Sequence, residues 1–352
     1  MTFAPALALE GVLSAQQLAD TGKFILSQQL ADGSIPWWRG GKLDPWDHVE
    51  AAMGLSALGH HDEALAAYEW SARTQADDGS WPMEQTDGVV TEAASDTNQC
   101  AYIATGVWHH HLVTGSTDVL LRYWPTVERA IDFVVRQQRP GGELAWAVDP
   151  QRKADDFALR TGSASALHSI TCAIEIAGVL GESKPGWQRA AKRLRDCLVE
   201  SPRSFADRDR YSMDWYYPVL GGALRGCEAR DLIEQRWDEF VWPGFGVRCV
   251  NDHPWVTAAE SCELVMSLDA IGETASATKV LSDIQCMRDE TTGGYWTGYV
   301  VADEAIWPEE QTTWTASAVV LAVDAVTGTT GGSGIFRDYA LAEEQDADGA
   351  AS

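Results

Sequence analysis

One alanine-rich apolar segment after another ends at a glycine. These glycines, Gly59, Gly115, Gly181, Gly226, Gly272 and Gly328, recur 45 to 66 residues apart along the chain. Glycine just past an apolar run is a helix stop, because it takes the left-handed backbone conformation at no steric cost. A second periodic signal precedes the apolar segments. It is clearest in Gln29-Leu-Ala-Asp-Gly-Ser-Ile35 and Gln75-Ala-Asp-Asp-Gly-Ser-Trp81. Weaker echoes stand at Gln138-Arg-Pro-Gly-Gly-Glu143 and at Gln285-Cys-Met-Arg-Asp289, the latter followed by Gly293-Gly-Tyr-Trp296. Each unit therefore reads as an amphipathic helix, a Gly-rich turn, a loop and an apolar helix. The spacing predicts amphipathic helices near 14–30, 62–76, 117–138, 187–200, 228–241 and 273–288. It predicts apolar helices near 47–58, 97–113, 163–179, 214–225, 257–271 and 312–327.

A repeat of this kind cannot bury its apolar face alone and must stack on its neighbours. Six amphipathic and six apolar helices predict an all-α fold, an (α/α)6 toroid with six outer and six inner helices. Short β pieces are expected in loops near 246–250 and 295–301. Residues 1–340 read as one toroid domain. Residues 341–352 are acidic and poor in apolar side chains, which predicts a disordered tail. In such a ring the outer-to-inner loops converge on one mouth, at the N-terminal ends of the inner helices.

Charge narrows the ligand. With 26 Lys+Arg against 52 Asp+Glu the formal net charge is −26, which speaks against nucleic acid or an anionic membrane surface as a partner. The 16 tryptophans outnumber the 8 phenylalanines and the 9 tyrosines, more indole than a core needs, so many are expected to line a binding surface. No apolar run reads as long enough to span a bilayer, and the start of the chain lacks the basic region of a signal peptide. The seven cysteines are scattered singly with no CxxC pair, which predicts neither a disulfide framework nor a zinc site. These signs together predict a cytoplasmic protein with no metal and no cofactor.

The Gln…Asp-Gly-Ser-Trp segments resemble the repeats of squalene and hopene cyclases and of prenyltransferase-type toroids. That resemblance implies the fold. The DxDD acid of hopene-type cyclases has no counterpart, since Asp44-Pro-Trp-Asp47 has another spacing. Further segments carry a closer resemblance: Ile35-Pro-Trp-Trp38, Asp44-Pro-Trp-Asp-His-Val-Glu50, Asp209-Arg-Tyr-Ser-Met-Asp-Trp-Tyr-Tyr-Pro218 and Trp296-Thr-Gly-Tyr299. In these the chain resembles the mycobacterial methylmannose-polysaccharide hydrolase family of intracellular endo-acting α-mannosidases. The resemblance implies hydrolysis of internal α-1,4 bonds in a chain of 3-O-methylmannose, with a polysaccharide or oligosaccharide as substrate.

The residues offer an independent route to the same chemistry. Twelve residues before the closing glycine stand Asp47, Asp214 and Glu260 in three of the six repeats, each in an otherwise apolar and aromatic stretch. Asp96 lies further upstream in the second repeat. Any one of these could be a helix cap. As a group facing one cavity they suit glycoside hydrolysis, in which one carboxyl protonates the leaving oxygen and another activates water. Aromatic surroundings keep one carboxyl protonated. Asp47 and Glu260 are the expected catalytic pair, with inversion, Glu260 as the favoured acid and Asp47 as the base. Glu263, one turn from Glu260 on the same helix face, is the fallback.

Trp46, Trp215, Tyr216, Trp255, Trp296 and Trp314 are the expected stacking surfaces, and Asp96, Asn98, Arg208 and Asp214 the expected hydroxyl ligands. His48 is a further candidate contact, although it also reads as a structural histidine. His109-His-His111 points three ways from a helix and predicts no metal site. Two rival readings accompany the hydrolase: a terpenoid cyclase or prenyltransferase, and a glycan-binding toroid without catalysis.

Overall fold

The computed structural model describes residues 6–339, so the expected tail at 341–352 lies outside the described residues. The chain runs through α1 (Ala15–Gln28) and the two-residue strand β1 (Lys42–Leu43) into α2 (Pro45–Ala57), and returns as α3 (His61–Thr74). A hairpin of β2 (Glu84–Thr86) and β3 (Val89–Glu92) leads to β4 (Ser95–Asp96), α4 (Thr97–Ala101) and α5 (Ile103–Thr114). Then follow α6 (Thr117–Arg136), β5 (Ala147–Val148), α7 (Arg160–Leu180) and α8 (Pro185–Glu200). Next come α9 (Ser212–Leu220), α10 (Gly226–Gln235), α11 (Trp237–Phe240), β6 (Val241–Trp242), β7 (Gly246–Arg248) and β8 (Trp255–Thr257). The last stretch holds α12 (Ala258–Ala270), α13 (Thr274–Asp283), β9 (Gly298–Val300), β10 (Ala305–Ile306), α14 (Thr313–Thr327) and α15 (Ile335–Asp338).

The apolar helices pack in a closed ring: α2 on α5, α5 on α7, α7 on α9, α9 on α12, α12 on α14, and α14 back on α2. The amphipathic helices α1, α3, α6, α8, α10 and α13 lie against them. The pattern of burial explains the division. Every residue of α2 is buried, as a helix apolar all round requires. By contrast α6 buries only one stripe, with Val119, Tyr123, Val127, Ala130 and Val134 among its buried residues.

The repeated turn motif ties each unit to the next. Gln29 Nε2 donates to the carbonyls of Gly33 and of Glu63 on α3. Gln75 does the same to Gly79 and Thr126 on α6, and Gln138 to Gly142 and Ala190 on α8. The turn glycine lies flat against the neighbouring helix. A Cβ at Gly33 would lie 2.2 Å from the Ala66 carbonyl oxygen, one at Gly79 2.1 Å from that of Arg129, and one at Gly293 2.6 Å from that of Asp20. The last contact joins the turn after α13 to α1, and Thr21 Oγ1 donates to the Gly293 carbonyl at 2.8 Å beside it.

Among the described residues the strands form an antiparallel β1-β2-β3 sheet, a β4-β5 pair and a five-stranded sheet ordered β10-β9-β8-β7-β6. Each belongs to connections that enter inner helices. The opposite end is crossed by the segment around α15. There Arg225 donates to the Phe336 carbonyl at 2.6 Å, Arg337 pairs with Asp269 at 2.8 Å, and the Phe336 ring lies 4.9 Å from that of His168.

Three details depart from the sequence expectation. The helix expected at 97–113 is divided at Tyr102 into α4 and α5. The helix expected at 214–225 ends at Leu220, and Gly226 opens α10 instead of closing α9. Gly222, at a φ of +80°, turns the chain out of the helix there, and Gly221 before it lies so close to α7 that a Cβ would be 2.2 Å from the Ala164 carbonyl oxygen. Finally, α7 is long and apolar enough by length and composition to cross a membrane, but most of it is buried inside the ring. Small and apolar side chains on several faces serve an interior helix as well as a membrane span.

Candidate active site

Asp47, Asp214 and Glu260 each occupy the third position of an inner helix, in α2, α9 and α12. All three are buried. The first helical turn favours a carboxylate there, because unpaired backbone N–H groups give that end a partial positive charge. One turn further along, Glu50, Ser165, Tyr217 and Glu263 line a narrow axial cavity of about 10 Å³, together with Trp46 and Tyr102. Phe336 lies at the same cavity, so the α15 segment forms part of its floor.

On α2 three acidic residues follow at helical spacing, Asp44, Asp47 and Glu50. Asp44 is the N-cap. Its Oδ1 accepts from the backbone N–H groups of Trp46 (3.1 Å) and Asp47 (2.9 Å), and its Oδ2 accepts from the Trp37 indole at 3.1 Å. Asp47 is held well above the usual carboxylate range, first by burial, then by the charge of Asp44 and a hydrogen bond shared with it, while Lys42 pulls the other way. Lys42 stands over the Trp37 ring at 3.8 Å. Glu50 is pushed up to about 8 by burial, against the opposing hydrogen bond from Tyr102. Tyr102 donates to its Oε2 at 2.9 Å, and its Oε1 has no partner.

On α12 the ladder is Glu260 and Glu263. Burial raises the Glu260 carboxyl, with Thr257 and Cys249 favouring its ionised form. Glu263 is raised further by burial and by the charge of Glu50. Both of its oxygens are taken by tyrosine hydroxyls, Tyr216 on Oε2 and Tyr217 on Oε1, each at 2.5 Å. Glu263 is thus bound into the wall instead of being free to meet a ligand.

Aromatic rings surround the first of these ladders. The Trp46 ring lies 4.8 Å from Tyr102 and 5.8 Å from Trp314, and Trp37 lies 6.4 Å from Trp314. Trp46, Trp296 and Trp314 therefore belong to the mouth side, Trp296 through its bridge to Gln311. Trp255 starts β8, which runs directly into α12. Asp96 caps α4 by accepting from Asn98 and Gln99, and burial raises its carboxyl to about 6. Asn98 keeps a buried Oδ1 without a partner. Asp214 accepts from Thr161 at the start of α7. With Arg160 and the exposed Arg208 it lines a separate rim cavity of about 350 Å³.

Three expected ligands face elsewhere. His48 is fully buried between α2 and α3, with Nδ1 accepting from Ile35 N–H at 3.1 Å and Nε2 bonded to the Ala67 carbonyl at 3.0 Å. Burial lowers it to about 4. It is a structural histidine, since both ring nitrogens are used. Trp215 points outward to α10, where its N–H donates to the Leu232 carbonyl at 2.9 Å and its ring stacks on Phe240. Tyr216 is buried and spends its hydroxyl on Glu263. Neighbouring residues on one helix cannot all face the bore, and Trp215 and His48 follow Asp214 and Asp47 directly.

The sequence reading passed over Asp44, Glu50, Tyr102 and Tyr217. The i, i+3 spacing of Asp44, Asp47 and Glu50 was the available signal. Tyr102 carries none, because it stands at a helix break. The three histidines 109–111 diverge as expected, with His110 bonded to Ser56 and His111 to the Ser116 carbonyl. Among the described residues no group of three or more His, Cys, Asp or Glu side chains is arranged to hold a metal ion.

No family model matches the chain. Over 331 residues it is 51% identical to the MMP endo-(1,4)-3-O-methyl-alpha-D-mannosidase of Mycolicibacterium hassiacum, covering 94% of this chain and 92% of that protein. Among solved structures, a wild-type glycosidase matches with a TM-score of 0.69 over 90% of this chain and 100% of its own, at 15% identity. A D-mannose isomerase matches with a TM-score of 0.66 over 88% of this chain and 96% of its own, at 11% identity. At such identities these two likenesses show a shared helical fold and nothing about chemistry.

Proposed function

We propose, for a chain that belongs to the family of the MMP endo-(1,4)-3-O-methyl-alpha-D-mannosidase, that it hydrolyses internal α-1,4 bonds of a 3-O-methylmannose polysaccharide with inversion of the anomeric centre. The observation that carries the mechanism is a pair of buried first-turn carboxyls, Asp47 on α2 and Glu260 on α12, both raised above the ordinary range. The ring alternation of inner and outer helices supports reading the fold as an (α/α)6 toroid of one domain. All seven cysteines are free thiols, which supports a reducing compartment such as the cytoplasm.

The electrostatics favour the reverse of the role assignment expected from sequence. Asp44 is committed as an acceptor of three N–H groups, so the proton shared between it and Asp47 belongs on Asp47. Asp47 then acts as the general acid and protonates the leaving glycosidic oxygen. Glu260 acts as the base and takes a proton from the water that attacks the anomeric carbon from the opposite face. The bond from that carbon to the leaving oxygen breaks as the bond to the water oxygen forms. The products are a shortened chain ending in a β-hemiacetal and a second fragment with a free hydroxyl. Trp46, Trp296 and Trp314 supply apolar faces suited to methyl ethers, and Asp96, Asn98, Arg208 and Asp214 offer polar groups for hydroxyls.

The test is incubation of the protein with a 3-O-methylmannan, an unmethylated α-mannan and an α-glucan, with product size and anomeric form followed by NMR. Internal fragments of the methylated chain carrying the β-anomer first support the proposal. An α-anomer first overturns inversion, and no turnover of any of the three overturns the hydrolase.

A further inference from the structure

Trp307 is 57% exposed, an unusual position for an indole among the described residues. It is fixed where it stands. The Trp255 indole N–H donates to the Trp307 carbonyl at 2.8 Å, and the two rings meet edge to face at 5.1 Å. The Trp307 N–H in turn donates to the Gly298 carbonyl at 3.0 Å.

The register of the sheet sets which way the two rings face. In antiparallel pairing Trp255 stands opposite Val300, and Val256 opposite Tyr299. Ile306 also stands opposite Tyr299, which puts Trp307 level with Gly298. Directly paired residues share a side of the sheet and alternate residues share a face. Val256 and Tyr299 therefore turn to one face, where Val256 is fully buried and Tyr299 stacks on Phe245 at 5.5 Å. Trp255 and Trp307 turn to the other. Gly298 makes room between them, since a Cβ there would lie 2.4 Å from Trp255 Nε1.

We propose that Trp255 and Trp307 form an outlying stacking subsite for a neutral, methyl-ether-bearing glycan chain. The inference rests on the hydrolase reading given above for its choice of ligand. A rigid indole pair gives an apolar face to the C–H side of a sugar ring without the entropy cost of ordering a flexible loop. The net charge of −26 disfavours an anionic occupant. Strand β8, which carries Trp255, runs without a break into α12, so Glu260 lies five residues from this platform. A chain held there continues towards the proposed catalytic carboxyls. The subsite would serve long substrates and add nothing for a ligand too short to reach it.

The experiment uses Trp307→Ala and Trp255→Ala in the full-length protein. Binding of 3-O-methylmannan and of a short 3-O-methylmannose oligosaccharide is measured by calorimetry, and KM is measured for both. The proposal expects the alanine variants to weaken polymer binding roughly three- to tenfold. It also expects the KM advantage of polymer over oligosaccharide to shrink and Trp307→Tyr to recover most of it. Equal loss for long and short ligands, or no loss, overturns the subsite. So does a change in oligomeric state by sedimentation with glycan binding intact, which would make Trp307 a contact between copies. Because binding is read separately from turnover, a protein that binds through Trp307 but hydrolyses nothing refutes the hydrolase and leaves the platform standing.

Discussion

Glu50 and Glu263 approach the same axial cavity from α2 and α12, and the charge of ionised Glu50 raises the Glu263 carboxyl. No Lys or Arg lines that cavity, and its histidine, His168, is pushed down to about 3 by burial. Two carboxyls buried together without a cation hold protons more tightly than in water, and tyrosine hydroxyls complete the arrangement.

This arrangement makes stability depend on pH in a definite direction. Glu50 titrates near 8 in the folded protein against an ordinary 4.5. The folded state therefore binds its proton more tightly than the unfolded state. The contribution is fully present below about 4.5 and is lost as pH rises through about 8. Glu50→Gln keeps a neutral group of the same shape. Its melting temperature should fall less than the parent's between pH 5 and pH 9 in parallel thermal scans. Parallel curves for parent and variant would refute the assignment.

Asp47→Asn and Glu260→Gln remove the proposed acid and base without changing side-chain shape. Each should lower kcat by about 10² to 10⁴ while polymer binding persists. Calorimetry beside steady-state kinetics checks both halves. Retained turnover in either variant moves catalysis to another residue.

Gly293 has a backbone φ of +77° and lies against Asp20 at the seam of the ring. Gly293→Ala combines a strained conformation with a clash against backbone that cannot retreat. A loss of about 2 kcal/mol or more is expected, read from the denaturant midpoint. Gly88→Ala, also at positive φ but with open space around it, should cost less, and the difference measures the seam itself.

Trp215 separates structure from site. Trp215→Phe loses the bond to the Leu232 carbonyl and should cost about 1 kcal/mol with kcat/KM at the parental value. A lower kcat/KM in a variant of normal stability would return Trp215 to the ligand surface.

Much of this was legible in the chain itself. The closing glycines marked helix ends because a left-handed φ favours glycine, and the Gln-to-Gly turns marked helix pairs because a glycine against a neighbouring backbone leaves no alternative residue. The common level of Asp47, Asp214 and Glu260 followed from counting back along helices of similar length, and it survived even where Gly226 was the wrong landmark. The facing of adjacent side chains was not legible. His48 and Trp215 occur in the same aromatic, acidic segments as Asp47 and Asp214, yet a rotation of about 100° per helical residue turns them towards the outer helices.

The sequence by itself determined the helix pairs, their order and the first-turn acids, because these depend on local backbone preference and on periodicity. Only the tertiary structure decided which acids share a cavity. Glu50 and Glu263 are separated by more than two hundred residues of chain, and Tyr102 reaches Glu50 because the second helix unit stacks on the first. Their protonation follows from burial and from each other's charge, and both are properties of distances in space that no stretch of sequence contains.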